Sequence, residues 1–229
     1  MNVLIGIPSH RGEISSTTAA TLVELTKALG GRRMAYSFVC AAHAEVSVAR
    51  NVLAARFLQG DFDTFIGIDD DVGVSREVID LFLSSGLNFV GTYLPQRVLS
   101  LEAFEAAILE GLRGREAQLR AAALVGPLIA AKDVGRPGIR EVEWIGTGFF
   151  LLRRSVLKAM IDKGIAILQP AEQPGFSGTR YGFFDNISTP TQYLSEDISF
   201  CRRVREAGYA VNAYLGPGIS HTGAATYHS

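Results

Sequence analysis

The feature that most restricts the fold of this chain is a short apolar run followed at once by three carboxylates. Residues 65–68 read Phe-Ile-Gly-Ile, and Asp69, Asp70 and Asp71 come directly after them. A run of this length predicts a buried strand that ends at the edge of its sheet with negative charge at its tip. Because adjacent carboxylates repel one another, Mg²⁺ or Mn²⁺ commonly neutralises such a cluster. The stretch predicts a cation site, and a solvated acidic turn is the alternative interpretation.

Strand-like and helix-like segments alternate along the chain. Strand patterns occupy residues 2–7, 34–41, 62–68, 87–92, 141–145, 149–152 and 209–214, with an edge strand expected within 124–131. Helix patterns occupy residues 15–29, 46–58, 75–85, 101–112 and 154–161, and a last helix opens at 195 and closes at Gly208. Alternating strands and helices form mostly parallel sheets. We therefore expect an α/β fold, with one domain over residues 1–229 and an open mixed, mostly parallel, Rossmann-like sheet flanked by helices.

Charge and cysteine content restrict the compartment and the partners. The formal net charge is −1 over 229 residues, which argues against broad electrostatic binding to nucleic acid. Cys40 and Cys201 lack metal-ligand spacing, so we expect free thiols in a reducing cytoplasm. No apolar run reaches membrane-spanning length, and the start of the chain lacks a signal-peptide pattern. We expect a cytoplasmic protein without a nucleic-acid partner or a transmembrane segment; peripheral contact with a membrane stays open.

Several polar residues lie where a ligand of the predicted sheet would bind. Pro8, Ser9, His10 and Arg11 come directly after the first strand, and ligands of open α/β sheets bind beyond the carboxyl ends of strands. We expect a nucleotide to lie there, unless this is an ordinary strand-to-helix loop. Arg50 lies on or beside the apolar face of its helix. It either extends to the surface or turns toward an anion at the strand tips.

Two glycine-containing segments are candidates for substrate contact. Gly146, Thr147 and Gly148 interrupt a strand pattern, and glycine permits close approach of the backbone to a ligand. They do not form a phosphate-binding loop, because the Walker and dinucleotide spacings are missing. Residues 169–193 are rich in Pro, Gly, Ser and Thr with interspersed aromatics. That composition favours a mobile flap over the active site rather than a core element.

The last part of the chain carries acids and a histidine whose simplest interpretations are structural. Glu196 and Asp197 fall in the first turn of the last helix, where acids commonly favour the helix dipole. His221 follows the last strand in a turn-rich segment before a short tail, and a lone histidine near a terminus is usually on the surface.

Taken together, five segments resemble a glycosyltransferase of the A-type nucleotide-diphospho-sugar transferase fold, most similar to small bacterial or viral family-2-like enzymes. They are residues 5–9 at the first strand, 65–74 as the Asp-x-Asp region, 144–154, 195–203 and 220–223. Each motif is weak alone, but their order and spacing are fairly specific. The resemblance spans most of the chain.

The resemblance implies roles for several residues. Asp71 would bind the metal that bridges the diphosphate, Asp69 would contact the metal or the donor ribose, and His221 is similar to the family's late metal ligand. Since Asp69, Asp70 and Asp71 are consecutive, two registers of the motif stay open, and Asp70 is also a candidate donor contact. Mn²⁺ is expected over Mg²⁺, because a neutral imidazole suits Mn²⁺ better.

The resemblance further implies the substrates and the reaction. The co-substrate would be a nucleoside-diphosphate sugar, and the acceptor a hydroxyl of a glycan, a lipid or another molecule. Asp197, with Glu196 in reserve, would be the base of an inverting transfer or would position the acceptor. Trp144 and the segment 146–148 would contact the acceptor. The alternatives are a retaining transfer, a sugar nucleotidyltransferase of related fold, and a sugar-nucleotide-binding module without turnover.

Overall fold

In the computed structural model, residues 1–114, 116–117, 121–125, 138–170 and 177–223 are described. The helices that it describes in full are α1 (Ser16–Gly31), α2 (Val46–Gln59), α3 (Arg76–Ser84), α4 (Leu101–Leu109), α5 (Arg154–Asp162) and α6 (Glu196–Glu206). The strands are β1 (Asn2–Ser9), β2 (Ala35–Ala42), β3 (Thr64–Ile68), β4 (Val72–Val74), β5 (Phe89–Thr92), β6 (Leu94–Leu99), β7 (Ala122–Val125), β8 (Gly138–Val142), β9 (Phe149–Arg153), β10 (Leu168–Gln169), β11 (Arg180–Tyr181), β12 (Ile187–Thr189), β13 (Gln192–Leu194), β14 (Val211–Leu215) and β15 (Ile219–His221).

Seven strands form the central sheet, in the order β2-β1-β3-β9-β5-β14-β8. The pairs β1–β2, β1–β3 and β5–β14 are parallel, whereas β9 and β8 run antiparallel to their neighbours. Five of the seven strands therefore point the same way. This is a mixed, mostly parallel, Rossmann-like α/β sheet, as the alternating sequence pattern predicted.

Successive side chains of the central strands pack on opposite faces of the sheet. Phe65 of β3 contributes to a core shared with α2, α5 and α6, whereas its neighbour Ile66 contributes to a core shared with α1 and α3. Phe150 and Leu151 of β9 alternate in the same way. Helices thus cover both faces, which explains why these strands are apolar without interruption.

The sequence missed or misplaced several short strands. β4 and β15 were not predicted, and they form an antiparallel ribbon beside the central sheet. The strand predicted at 141–145 lies instead at Gly138–Val142, because its ladder with β14 ends where Val142 meets Val211. β6, which pairs with β7, was not predicted either. Most of the edge strand predicted at 124–131 falls outside the described residues.

The segment predicted as a flap is only partly exposed. It contains β11, the hairpin β12–β13 and two phenylalanines, Phe183 and Phe184, that are fully buried. The Phe184 ring stacks on Phe200 of α6, with 4.1 Å between ring centroids. Residues 171–176 lie outside the described part. The expectation that 169–193 avoids the core is therefore wrong at Phe183 and Phe184, and its mobility stays a prediction.

The C-terminal end of α2, the helix that carries Arg50, is held by a guanidinium. Arg154, at the start of α5, donates to the carbonyl oxygens of Phe57, Gly60 and Phe62 at 2.9–3.0 Å. Carbonyls at a helix end lack partners within the helix, so an arginine placed there satisfies them. Among the described residues, no helix is long and apolar enough to cross a membrane.

Replacing Phe184 by alanine tests whether this part of the predicted flap belongs to the core. We expect Phe184→Ala to lower the free energy of unfolding by roughly 3–5 kcal/mol, because it removes a stacked, fully buried ring. Tyr193→Ala is the matched control, since Tyr193 lies in the same segment and is 68% exposed. Urea denaturation should show a change within about 0.5 kcal/mol for that control. Equal effects of the two substitutions would contradict the core assignment.

Candidate active site

A cavity of about 440 Å³ opens at the carboxyl ends of β1 and β3. The chain goes from β1 to β2 on one side and then to β3 on the other, and such a switch point is where ligands of open α/β sheets bind. Twelve predicted site residues line the cavity: Pro8, Ser9, His10, Arg50, Asp69, Asp70, Asp71, Gly146, Gly148, Glu196, Asp197 and His221. Residues far apart in sequence therefore meet where the sequence predicted a ligand site.

Three predicted residues do not line this cavity. Arg11 is exposed on the loop after β1. Trp144 is half-buried and packs against the core that lies between the sheet and α2, α5 and α6. Thr147 lies behind the cavity wall, where it is buried and contacts Asp197. Their predicted contacts with donor or acceptor have no support from these positions.

The acidic loop after β3 is held through its backbone. The Ser15 amide, at the N-cap of α1, donates to the carbonyl oxygen of Asp70 at 2.7 Å. The Thr222 amide donates to the carbonyl oxygen of Asp71 at 2.8 Å. Because main-chain bonds fix the loop, its carboxylates do not have to hold it.

Arg50 of α2 joins the acidic loop to the start of α6. One of its terminal nitrogens, Nη2, donates to both oxygens of Asp69 at 2.9 and 3.1 Å. The other, Nη1, donates to Glu196 Oε1 at 3.0 Å and to Asp197 Oδ1 at 2.9 Å. The Arg50 side chain is only 5% exposed. The sequence left two directions open for Arg50, and it turns inward to three carboxylates at the strand tips.

Burial and charge act in opposite directions on this ion-pair cluster. Burial alone would lower the pKa of Arg50, but Asp69, Asp197 and Glu196 raise it above its ordinary value. Burial raises the pKa of Asp69 to about 6; Arg50 opposes this rise, and Asp197 and Asp71 add to it. The cavity therefore holds an arginine that stays charged and an aspartate that titrates close to neutral pH.

The glycine-containing segment before β9 supports the carboxylates from behind. The Thr147 hydroxyl donates to Asp197 Oδ1, the same oxygen that Arg50 contacts. The Asp69 amide donates to the carbonyl oxygen of Gly148 at 2.8 Å. A Cβ atom at Gly148 would collide with the Leu94 side chain and lie 3.2 Å from Asp69 Oδ2. Glycine permits close packing of this segment against Leu94 and the acidic loop.

The ribbon of β4 and β15 brings His221 back to the acidic loop. His221 pairs with Val72 in the ribbon, and its Nε2 lies 3.2 Å from Asp71 Oδ1. Its Nδ1 lies 2.9 Å from the carbonyl oxygen of Pro95, an acceptor, so Nδ1 carries a hydrogen. In the neutral ring, Nε2 then presents a lone pair toward the Asp71 carboxylate. Such a contact is favourable when a second proton or a cation lies between the two.

The pair of Asp71 and His221 fits a divalent cation in part. Carboxylate oxygen and imidazole nitrogen together suit Mn²⁺ better than Mg²⁺. Within the described part of the chain, no group of three or more acidic, histidine or cysteine side chains is arranged to hold a metal. Asp69 is engaged by Arg50. A cation here would therefore take two ligands from the protein and further oxygens from a bound ligand or water.

The sequence analysis missed several residues that line the cavity: His43, Ala44, Val46, Ala49 and Leu94. His43 follows β2, and its Nδ1 accepts a hydrogen bond from the Glu45 amide at 3.0 Å. Its own amide donates to the Ser9 carbonyl at 3.0 Å, which extends the β1–β2 ladder. His43 could have been predicted as a site residue, because it follows a predicted strand. The end of a strand parallel to β1 lies at the same edge of the sheet as Ser9.

Comparisons with known proteins add little. No family model matches the chain, and no curated protein matches it. Among solved structures, 48 chains match. One is the crystal structure of A197 from STIV, with 16% sequence identity and a TM-score of 0.48 over 100% of this chain and 98% of that chain. A likeness of this degree carries no argument about function.

Removing the Arg50 charge tests whether the cluster depends on it. We expect Arg50→Met to lower the free energy of unfolding by roughly 3–5 kcal/mol near neutral pH, because three carboxylates lose their common partner. The loss should shrink at about pH 4.5, where carboxylates more readily take up protons. Urea denaturation at both pH values measures it.

The control is Arg202→Met, which removes an exposed pair with Glu206 within α6. An exposed pair contributes about 0–1 kcal/mol, so that variant should unfold almost like the wild type. A loss for Arg50→Met that is small, or that does not change with pH, would contradict the central role of this charge.

Proposed function

We propose that this protein is a metal-dependent glycosyltransferase that moves a sugar from a nucleoside-diphosphate sugar to an acceptor hydroxyl with inversion. The observation that carries the proposal is the meeting of Asp71, His221 and the Arg50 cluster in one cavity at the switch point of the sheet. The motif resemblance of the five segments described above supports the same activity.

The charge of the cavity favours a donor that arrives together with a cation. Among the described residues, five carboxylates line it, those of Asp69, Asp70, Asp71, Glu196 and Asp197, against the one guanidinium of Arg50. An anionic diphosphate alone would be repelled by this excess of negative charge. Asp71 and His221 would hold the cation. When bound, Mn²⁺ or Mg²⁺ supplies stabilisation of the negative charge that develops on a diphosphate leaving group.

The environment of Asp197 suits a general base. Its Oδ1 accepts hydrogen bonds from Arg50 and Thr147, which fixes the carboxylate plane and leaves Oδ2 to take a proton. Asp197 lies in the first turn of α6, next to the positive end of the helix dipole. In this proposal, an acceptor hydroxyl would give its proton to Oδ2 as it attacks the sugar carbon. Glu196, which also contacts Arg50, is the reserve candidate.

The role of Asp71 and His221 can be tested by binding alone. We expect Asp71→Asn and His221→Ala each to weaken the Mn²⁺-dependent affinity for UDP, GDP or ADP by about 10-fold or more, because each removes a ligand. Wild-type affinity should also fall as pH is lowered from about 8 to about 5.5, because protonation of an imidazole competes with metal binding. Isothermal titration calorimetry measures both effects.

His43→Ala is the matched control, since His43 lines the same cavity directly after β2 and should leave the Mn²⁺ dependence intact. If His221→Ala kept the affinity and the pH profile of the wild type, His221 would not be a metal ligand.

The proposed base can be tested by turnover and stereochemistry. We expect Asp197→Asn to reduce turnover by roughly 10²–10⁴-fold with little change in donor affinity, because it keeps the shape and removes the proton acceptor. Glu196→Gln should have the smaller effect. Sugar transfer and donor hydrolysis are followed by chromatography, and the anomeric configuration of the product by NMR. A product with retained configuration would remove Asp197 from this role.

A further inference from the structure

The outer edge of β2 is open in the described structure. β2 is the terminal strand of the central sheet and pairs only with β1, so the N–H and C=O groups on its other side have no strand partner among the described residues. It is eight residues long, with the sequence AYSFVCAA, and contains no charge and no proline. Natural edge strands are usually protected by lysine, proline, a bulge or short length. This strand has none of these.

The open edge also presents an apolar stripe. Tyr36 and Phe38 are 46% and 49% exposed, and Cys40 is exposed beside them. Side chains two residues apart lie on the same face of a strand, so these three form one row. An apolar row next to unpaired backbone groups is a template for another strand.

Charges at the two ends of β2 select the direction of pairing. Arg33 lies two residues before β2 and Glu45 three residues after it, and both are exposed. In an antiparallel pair of two copies, the basic end of one strand lies beside the acidic end of the other. In a parallel pair, like charges would meet. Charge complementarity therefore favours a second copy of this chain, related by a two-fold axis.

We propose that β2 is a dimer interface, at which it pairs antiparallel with β2 of a second copy and joins the two seven-stranded sheets. A two-fold axis perpendicular to the sheet keeps each row on its own face. With Val39 at the axis, Phe38 lies opposite the partner's Cys40, and the end of β2 that carries Arg33 lies beside the end of the other β2 that carries Glu45. The dimer also supports the cavity, because β2 runs directly into His43 and Ala44 of its wall.

Oligomeric state is the first test. Sedimentation of the full chain over a concentration series should give twice the 24.7 kDa chain mass. Phe38→Lys, and independently Tyr36→Lys, should give monomers, because a lysine on an edge strand prevents pairing with another strand. The circular dichroism spectrum should stay unchanged, because both positions are exposed in the monomer. Leu109→Lys, at an 88% exposed position of α4, is the control and should remain dimeric. A monomeric wild type, or dimers that persist in both β2 variants, would overturn the proposal.

Cross-linking tests the register. Directly opposite residues of antiparallel strands have Cα atoms roughly 4.5–5.5 Å apart, within the range that a disulfide spans. Phe38→Cys should therefore form a covalent dimer through the partner's Cys40 when treated with diamide, which takes up the two electrons and two protons that the thiols lose. Wild-type protein, whose two Cys40 residues are offset in this register, should give little covalent dimer. Equal cross-linking of the two proteins would reject this register.

A charge reversal tests the direction. Glu45→Arg should weaken the dimer by about tenfold, because it places like charges at both ends of the interface. The double variant Arg33→Glu with Glu45→Arg should recover most of the lost dimer affinity. If Glu45→Arg acted only locally on α2, the added Arg33→Glu change would not restore dimerisation. A double variant whose dimer is as weak as that of the single variant would therefore contradict antiparallel pairing.

Discussion

Arg50 keeps its charge while its side chain is almost fully removed from water, and three carboxylates make this possible. It draws Asp69 from the end of β3 toward Glu196 and Asp197 at the start of α6. A buried cation costs several kcal/mol of solvation energy unless it is paired and hydrogen-bonded. The position of α2 under the cavity, and the geometry of the acids around it, depend on the same interaction. Arg154 secures the other end of this helix.

The acidic loop combines a fixed backbone with an excess of negative charge. Ser15 and Thr222 hold the carbonyl oxygens of Asp70 and Asp71, so the loop keeps its shape without help from the carboxylates. Arg50 neutralises only part of the charge. Such an arrangement is expensive for stability, and it is expected where a cation and an anionic ligand bind together. For this physical reason, our proposal assigns the acidic loop to a cation site rather than to a solvated acidic turn.

The cavity and the outer edge of β2 differ in how their polar groups are paired. At the cavity, strand ends, helix starts and the β4–β15 ribbon converge, and Arg50 pairs there with Asp69, Glu196 and Asp197. At β2, an uncharged edge is left open, and a second copy is the partner that its symmetry and terminal charges favour. The open edge and the cavity are connected, because β2 leads directly into His43 in the cavity wall.

Sequence periodicity by itself determined the α/β class, the main helices and the position of the acids at the end of β3. These follow from local patterns of apolar residues, and a parallel sheet places all strand ends of one direction at the same edge. The tertiary structure alone decided which residues meet there. Arg50 contacts partners 19 and 147 positions away, and β4 and β15 are too short to carry a periodic signal. It also placed Phe184 in the core, within a segment whose composition indicated a flap. Pairing between distant segments depends on how the chain crosses itself, and no local pattern of side chains contains that information.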